Sequence, residues 1–283
     1  MVVEVEIDIF TTKRKVWYPK LCPLTSDADT LPKMYKCDEE KDAKFVVKGK
    51  EFLVHKCLLA VRAPVLYDLD KEKVAAASKA GTTSSTENPV EITDIDEFTF
   101  GNIVKYMYKV LDAGTLTGSL QVSKDLYLAA DRFGLTSLKI YIESVMIDMH
   151  LNPSTAAMLL HLADSHSSPL LKEHAMSMCV ENMEDVQKTD DWPLVMESTK
   201  LLSDILAVKV VSHRNGTSDS TSSGTDRFEE KSVAELRKDA EEAGLDLDGD
   251  KEMLVSRLRK WCGLDDDIDE FLSDSDDSDL GEY

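Results

Sequence analysis

Residues 42–69, DAKFVVKGKEFLVHKCLLAVRAPVLYDL, narrow the fold more than any other part of the chain. The first half sets β-branched and aromatic residues on either side of a Lys48-Gly49 break, the pattern of a short hairpin. The second half spaces Leu58, Leu59, Val65, Leu66 and Leu69 for a helical pair interrupted at Pro64. A hairpin that runs directly into helices predicts a compact α+β domain, a small sheet flanked by helices.

The same string resembles the opening of a BTB/POZ domain. Asp42, Phe45, Gly49, Phe52, His55, Lys56, Leu58, Leu59, Ala60, Arg62 and Leu66 fall on that family's signature without a gap. Ala63 and Leu66 stand where members often have Ser and Phe. Residues 90–94 read as a strand, and Phe98, Phe100, Ile103, Val104, Met107 and Tyr108 as a helix with a wide apolar face. Leu126, Ala130 and Phe133 recur at helical spacing before Gly134, a natural C-cap. These stretches are similar to the same family, so the resemblance covers residues 42–150. Between them, residues 70–89 read as an exposed polar loop, with a frayed helical turn around Val74.

Asn152-Pro153 and Ser168-Pro169 each suit a helix start. Ala156, Leu159, Leu160 and Ala163 form one stripe, and Leu171, Ala175 and Met178 another. Residues 162–175 and 192–206 resemble the helical extension that follows the BTB domain in speckle-type POZ proteins. The resemblance implies a homodimer, with Asp42, His55, Lys56, Leu58 and Leu59 at the dimer interface and a charged Asp42–Lys56 pair within it. It also implies a groove for the type-3 cullin, with Tyr106, Tyr108, Leu159, Leu162 and His166 as contacts. The apolar-x-Glu element that cullin-binding members tend to carry in the loop is absent from residues 69–89.

Residues 212–226 are a Ser/Thr/Gly-rich linker. Beyond it, Ser232 and Glu235 form a capping box, and Leu236, Ala240 and Ala243 line a helix ending at Gly244. Leu254, Leu258 and Trp261 line a second helix. The pair resembles a SAP motif through Glu235-Leu236, Gly244-Leu245, Gly249, Lys251, Leu254-Val255 and Arg257-Leu258. That resemblance implies contact with double-stranded DNA, for which Lys251, Arg257 and Lys260 are the candidates. Asp246, Asp248 and Asp250 occupy the loop that would approach phosphate, which opposes such affinity.

The formal charge is −21, and no Lys or Arg follows Lys260. The acidic run 265–282 reads as a disordered tail, in which Ser273, Ser275 and Ser278 suit acid-directed kinases. Val3, Val5, Ile7 and Ile9 alternate with acids, a half-buried strand rather than a secretory leader. The five cysteines show no paired metal-ligand spacing and read as reduced, intracellular thiols. No nucleophile elbow or phosphate loop occurs, so no catalytic residue, cofactor or metal is assigned. A metal site would need His161, His166 and His174 to converge.

The expected organisation is an N-terminal extension (1–35), a BTB/POZ domain (36–150), a helical extension (151–210), a flexible linker (211–228), a separate SAP-like hairpin (229–263) and a disordered acidic tail (264–283). The expected function is a non-enzymatic, dimeric substrate adaptor of a cullin-RING ubiquitin ligase, with an unknown protein substrate. The alternative is a nuclear chromatin regulator that dimerises and binds DNA without a cullin. Nucleus or cytoplasm is expected, the nucleus favoured, with no membrane.

Overall fold

The computed structural model describes residues 16–19, 30–78, 88–214 and 228–264. The strand expected at residues 3–9, Ser273, Ser275, Ser278 and the acidic run 265–282 lie outside these residues.

A short helix, α1 (Thr30–Lys36), precedes the hairpin of β1 (Ala43–Val47) and β2 (Lys50–Val54). Its two turn residues, Lys48 (φ 47°) and Gly49 (φ 86°), are both left-handed, which matches the twist of the flanking strands. β1 and β2 pair antiparallel from Ala43↔Val54 to Val47↔Lys50. β3 (Val90–Ile92) joins the other edge of β1 in parallel, giving the order β2-β1-β3. On the central strand, alternate residues Ala43, Phe45 and Val47 are fully buried, so one face of the sheet carries the core.

That face is covered by α2 (Lys56–Arg62), α3 (Pro64–Ser78), α4 (Glu97–Met107), a short α5 (Ala113–Thr117), α6 (Leu120–Arg132) and α7 (Thr136–Val145). Phe100 of α4 is the hub. Its ring lies 5.6 Å from Phe45, 5.0 Å from Phe52 and 6.3 Å from Phe133. Asp96 starts α4, its carboxylate accepting from the amides of Phe98 (2.8 Å) and Thr99 (2.9 Å).

One expectation about this domain needs correction. Residues 70–78 are the continuation of α3, not a loop. Lys, Glu and the Ala75–Ala77 run are strong helix formers, and Asp70 is anchored from inside the domain.

After α7 a π-turn (Met146–His150) leads into the extension: α8 (Ala156–Ser165), α9 (Pro169–Glu181), a single turn α10 (Met183–Val186), α11 (Trp192–Met196) and α12 (Thr199–Arg214). α8 starts three residues later than Pro153 suggests. Asn152 turns on itself instead, its Oδ1 accepting from the Ser154 amide at 3.0 Å. The extension is joined to the domain by Leu159, Leu170 and Leu171, which belong to the main core. Its other face builds a second core from Leu160, Ala175, Cys179, Val195, Leu201 and Ile205. Burial there raises the Cys179 thiol to about 11, whereas Cys57 on α2 is exposed.

The linker is shorter than its composition implies, because α12 runs to Arg214 and Phe228 is buried. α13 (Val233–Glu242) and α14 (Lys251–Trp261) then form the expected hairpin, with the Ser232–Glu235 capping box in place and Gly244 at φ 69°. The hairpin is not separate. Phe228, Val233, Leu236, Ala240, Leu254, Val255 and Leu258 are continuous with the main core, and α13 packs on α9.

Candidate functional site

Two polar centres sit within this apolar framework. The first lies where β2 meets α2. His55 is buried there, and Tyr108 at the end of α4 reaches it. The Tyr108 hydroxyl accepts from the His55 amide at 3.1 Å and lies 2.6 Å from His55 Nδ1. Having accepted one proton, the hydroxyl has its own to offer Nδ1, which suits the tautomer protonated at Nε2. Burial pushes the Tyr108 phenol up to about 12, so it stays a neutral donor. Tyr35 of α1 packs on Tyr108 at 5.4 Å, pinning α1 to the corner.

Within one chain Asp42 and Lys56 do not meet as an ion pair. Asp42 Oδ1 accepts from the Lys56 backbone amide at 2.7 Å and so satisfies an orphan donor at the start of α2. The Lys56 ammonium turns instead to the buried Asp70 carboxylate at 3.3 Å. The family resemblance singles out Lys56 but not Asp70, which in the sequence reads as part of a loop. Leu58 and Leu59 are buried in the chain's own core. The apolar side chains left outside are Val61, 81% exposed, and Val65, 38% exposed.

The cullin candidates divide in the same way. Tyr106, Tyr108, Leu159 and Leu162 are all buried, Tyr106 beside Arg62, Tyr108 at the His55 corner, and Leu159 and Leu162 on α8 at the domain–extension junction. His166 stands at its edge, Nδ1 2.9 Å from the Asp131 carboxylate.

The second polar centre is a charged seam under the hairpin. It begins at His166–Asp131 and continues through Asp131–Lys139 (2.8 Å) to Lys139–Asp248 (3.4 Å) in the hairpin loop. Partial burial opposes ionisation of Asp131, but Lys139 and His166 outweigh it and hold the carboxyl below its ordinary range. One turn further along α7, Glu143 meets Arg237 of α13 at 2.6 Å, each side chain only 1% exposed. The other Glu143 oxygen accepts from the Leu171 amide at 2.8 Å, tying the extension to the same carboxylate. The Trp17 ring covers the Arg237 guanidinium at 5.8 Å. A further bond, Val233 amide to Glu173 at 2.9 Å, fastens the start of α13 to α9.

Sequence reading missed Glu143, Lys139 and Arg237, yet a signal existed. Arg237 sits on the stripe Val233, Leu236, Ala240, and Glu143 among Ile140, Ile142 and Val145. Opposite charges on two apolar stripes mark a buried pair, because neither is tolerated there alone.

The proposed DNA contacts are redistributed. Arg257 is committed internally, donating to the carbonyls of Asp246 (3.3 Å) and Asp248 and pairing with the Asp246 carboxylate at 3.4 Å. It braces the acidic loop rather than facing outward. Lys260 is exposed. Lys251 lines a cleft of about 630 Å³ between the start of α14 and helices α9 and α12, facing Lys172, Lys200 and Asp204. Among the described residues His161, His166 and His174 belong to no metal-binding cluster. Nor is any described helix long and apolar enough to cross a membrane.

Part of the chain is similar to known proteins. Residues 31–150 match the family model described as "BTB/POZ domain". In Mus musculus, TD and POZ domain-containing protein 3 is 29% identical over 170 residues, 60% of this chain and 44% of that protein. TD and POZ domain-containing protein 5 is 29% identical over 60% of this chain and 47% of its own length. TD and POZ domain-containing protein 4 is 30% identical over 56% and 40%. The matched region thus spans less than half the length of each relative.

Proposed function

Since residues 31–150 form a BTB/POZ domain, a protein-interaction module, we propose that this chain is a dimeric adaptor that presents target proteins to a type-3 cullin ubiquitin ligase. The observation that carries this reading is the extension. α8 and α9 follow the domain immediately and share its core through Leu159, Leu170 and Leu171, so domain and extension present one continuous surface. A second copy of the chain is the partner proposed for Val61 of α2 and Val65 of α3, whose exposed branched side chains offer apolar area. The hairpin supplies the target-binding element.

Calorimetric titration of the full chain with the N-terminal domain of the type-3 cullin tests the reading. One cullin per protomer at sub-micromolar affinity supports it. Absence of heat at about 50 μM, equivalent to less than about 6 kcal/mol of binding, removes it.

The second reading is a nuclear dimer that contacts duplex DNA through the hairpin. What supports it is local geometry: α13 carries its capping box, and Gly244 and Gly249, two glycines of the SAP-like pattern, have φ of 69° and 105°. Against it stand Arg257, already engaged by its own loop, and the three loop aspartates. Electrophoretic mobility of a DNA duplex with the full chain, compared at low and physiological salt, separates the two readings.

A further inference from the structure

We propose that the exposed apolar ridge of α14 is the docking site of the chain's own acidic segment, residues 265–283, which lies outside the described residues. The proposal rests on the geometry of α14 and on neither functional reading.

α14 buries Leu254, Val255 and Leu258, yet it leaves large apolar side chains in water. Met253 is 47% exposed, and Trp261 is 61% exposed although it continues the spacing of Leu254 and Leu258. Residues 253, 257 and 261 lie four apart and so form one ridge along the helix. The Arg257 head turns to the loop carbonyls of Asp246 and Asp248, which leaves its alkyl stem on the ridge between the two apolar residues. Leu264, 60% exposed, follows just past the end of the helix. Single exposed apolar residues are ordinary, but three in one short stretch mark a surface that something covers.

The end of α14 brings the chain round to this surface. Gly263 is left-handed at φ 69°, its amide donating to the Lys260 carbonyl at 3.2 Å, and the Leu264 amide donates to the Arg259 carbonyl at 3.0 Å. This is a Schellman motif, in which the chain closes back against the last turn of its helix. Residues 265–283 therefore start beside Trp261.

The segment matches the ridge in reach and in chemistry. The four residues from Leu264 to Ile268 span up to about 14 Å when extended. The ridge from Met253 to Trp261 is about 12 Å long. Ile268, Phe271 and Leu272 supply apolar surface of their own. The segment carries ten Asp and Glu and no Lys or Arg, whereas α14 sets Lys251, Arg257, Arg259 and Lys260 against Glu252 alone. Arg257 and Arg259 are paired with Asp246 and Glu229, so Lys260, exposed next to Trp261, is the base left for the segment. Tethering gives the segment an effective concentration of about a millimolar, enough to populate a contact too weak to form between separate molecules. A second copy or a target protein reaches the ridge only by displacing it.

Fluorine NMR of the full chain labelled with fluorotryptophan tests this. The chain has three tryptophans, and Trp261→Phe identifies the Trp261 signal. That signal should shift between wild type and the double variant Phe271→Ser/Leu272→Ser, while those of Trp17 and Trp192 stay where they are. Its solvent-isotope shift, which reports water at the ring, should be smaller in wild type than in the variant. A Trp261 signal with the same position and isotope shift in both proteins overturns the proposal. So does a wild-type signal that moves to the variant's position on about tenfold dilution, which gives the ridge to a second copy.

Discussion

The corner at His55 and the seam at Glu143 both bury polar groups, and they solve the problem differently. At the corner the groups are neutral, and a strand end, α4 and α1 close around them within one domain. At the seam they are charged, and the partners come from the domain, the extension, the hairpin and the N-terminal segment. A neutral hydrogen bond asks little desolvation and contributes modestly. A buried ion pair desolvates two charges, so its net contribution is small while loss of one partner is severe. The corner thus belongs to the stability of the domain. The seam joins segments that lie far apart in the chain.

The largest effect should come from breaking the seam on one side. Arg237→Ala leaves Glu143 charged and dry, and urea unfolding should show a loss of about 3–5 kcal/mol unless the hairpin undocks first. Replacing both members by Met tests the comparison directly. The double variant should recover most of that loss, and a double variant as unstable as the single one would mean the ions contribute more than their desolvation costs.

The corner should respond less. Tyr108→Phe strips the hydroxyl from both His55 contacts, and about 1–3 kcal/mol should disappear from the same denaturant curve. A loss exceeding that of Arg237→Ala would invert the ranking drawn here. Ser232→Ala is smaller still. It removes the capping box of α13 and should cost about 1 kcal/mol, seen as a shifted urea midpoint if the docked hairpin unfolds with the body.

The smallest effect concerns pH. Asp131 titrates below its ordinary value of 3.8 in the folded chain, so its contribution is complete above 3.8 and is lost as pH falls through the lower folded value. Asp131→Asn should cost less than about 1 kcal/mol at neutral pH and flatten this part of the acid limb. An acid limb identical to that of wild type would show that Lys139 and His166 contribute nothing through Asp131.

Much of the domain was legible because its signals are local. Alternation of Ala43, Phe45 and Val47, the Lys48-Gly49 turn, Pro64 between two helices and Gly134 after α6 each announce a structure within a few residues. The hairpin was legible for the same reason, through Ser232, Glu235 and Gly244. The candidate sites were much less so. Asp42 and Lys56 stood out together, yet α3 carried Asp70 to the lysine and left Asp42 to the backbone. Tyr106, Leu159 and Leu162 stand where the family resemblance implies contacts, and in this chain all three are buried.

By itself, then, the sequence determined the elements of this protein: the hairpin leading into paired helices, the starts and stops of most helices, and the presence of a second helical layer and a capped C-terminal pair. Periodicity, turn chemistry and caps act over one or two turns of chain, and all can be read there. Only the tertiary structure decided that the C-terminal pair docks, that Glu143 faces Arg237 and that Arg257 turns back on its own loop. Those outcomes depend on which charges lose water together, and that is settled by packing between segments far apart in the chain.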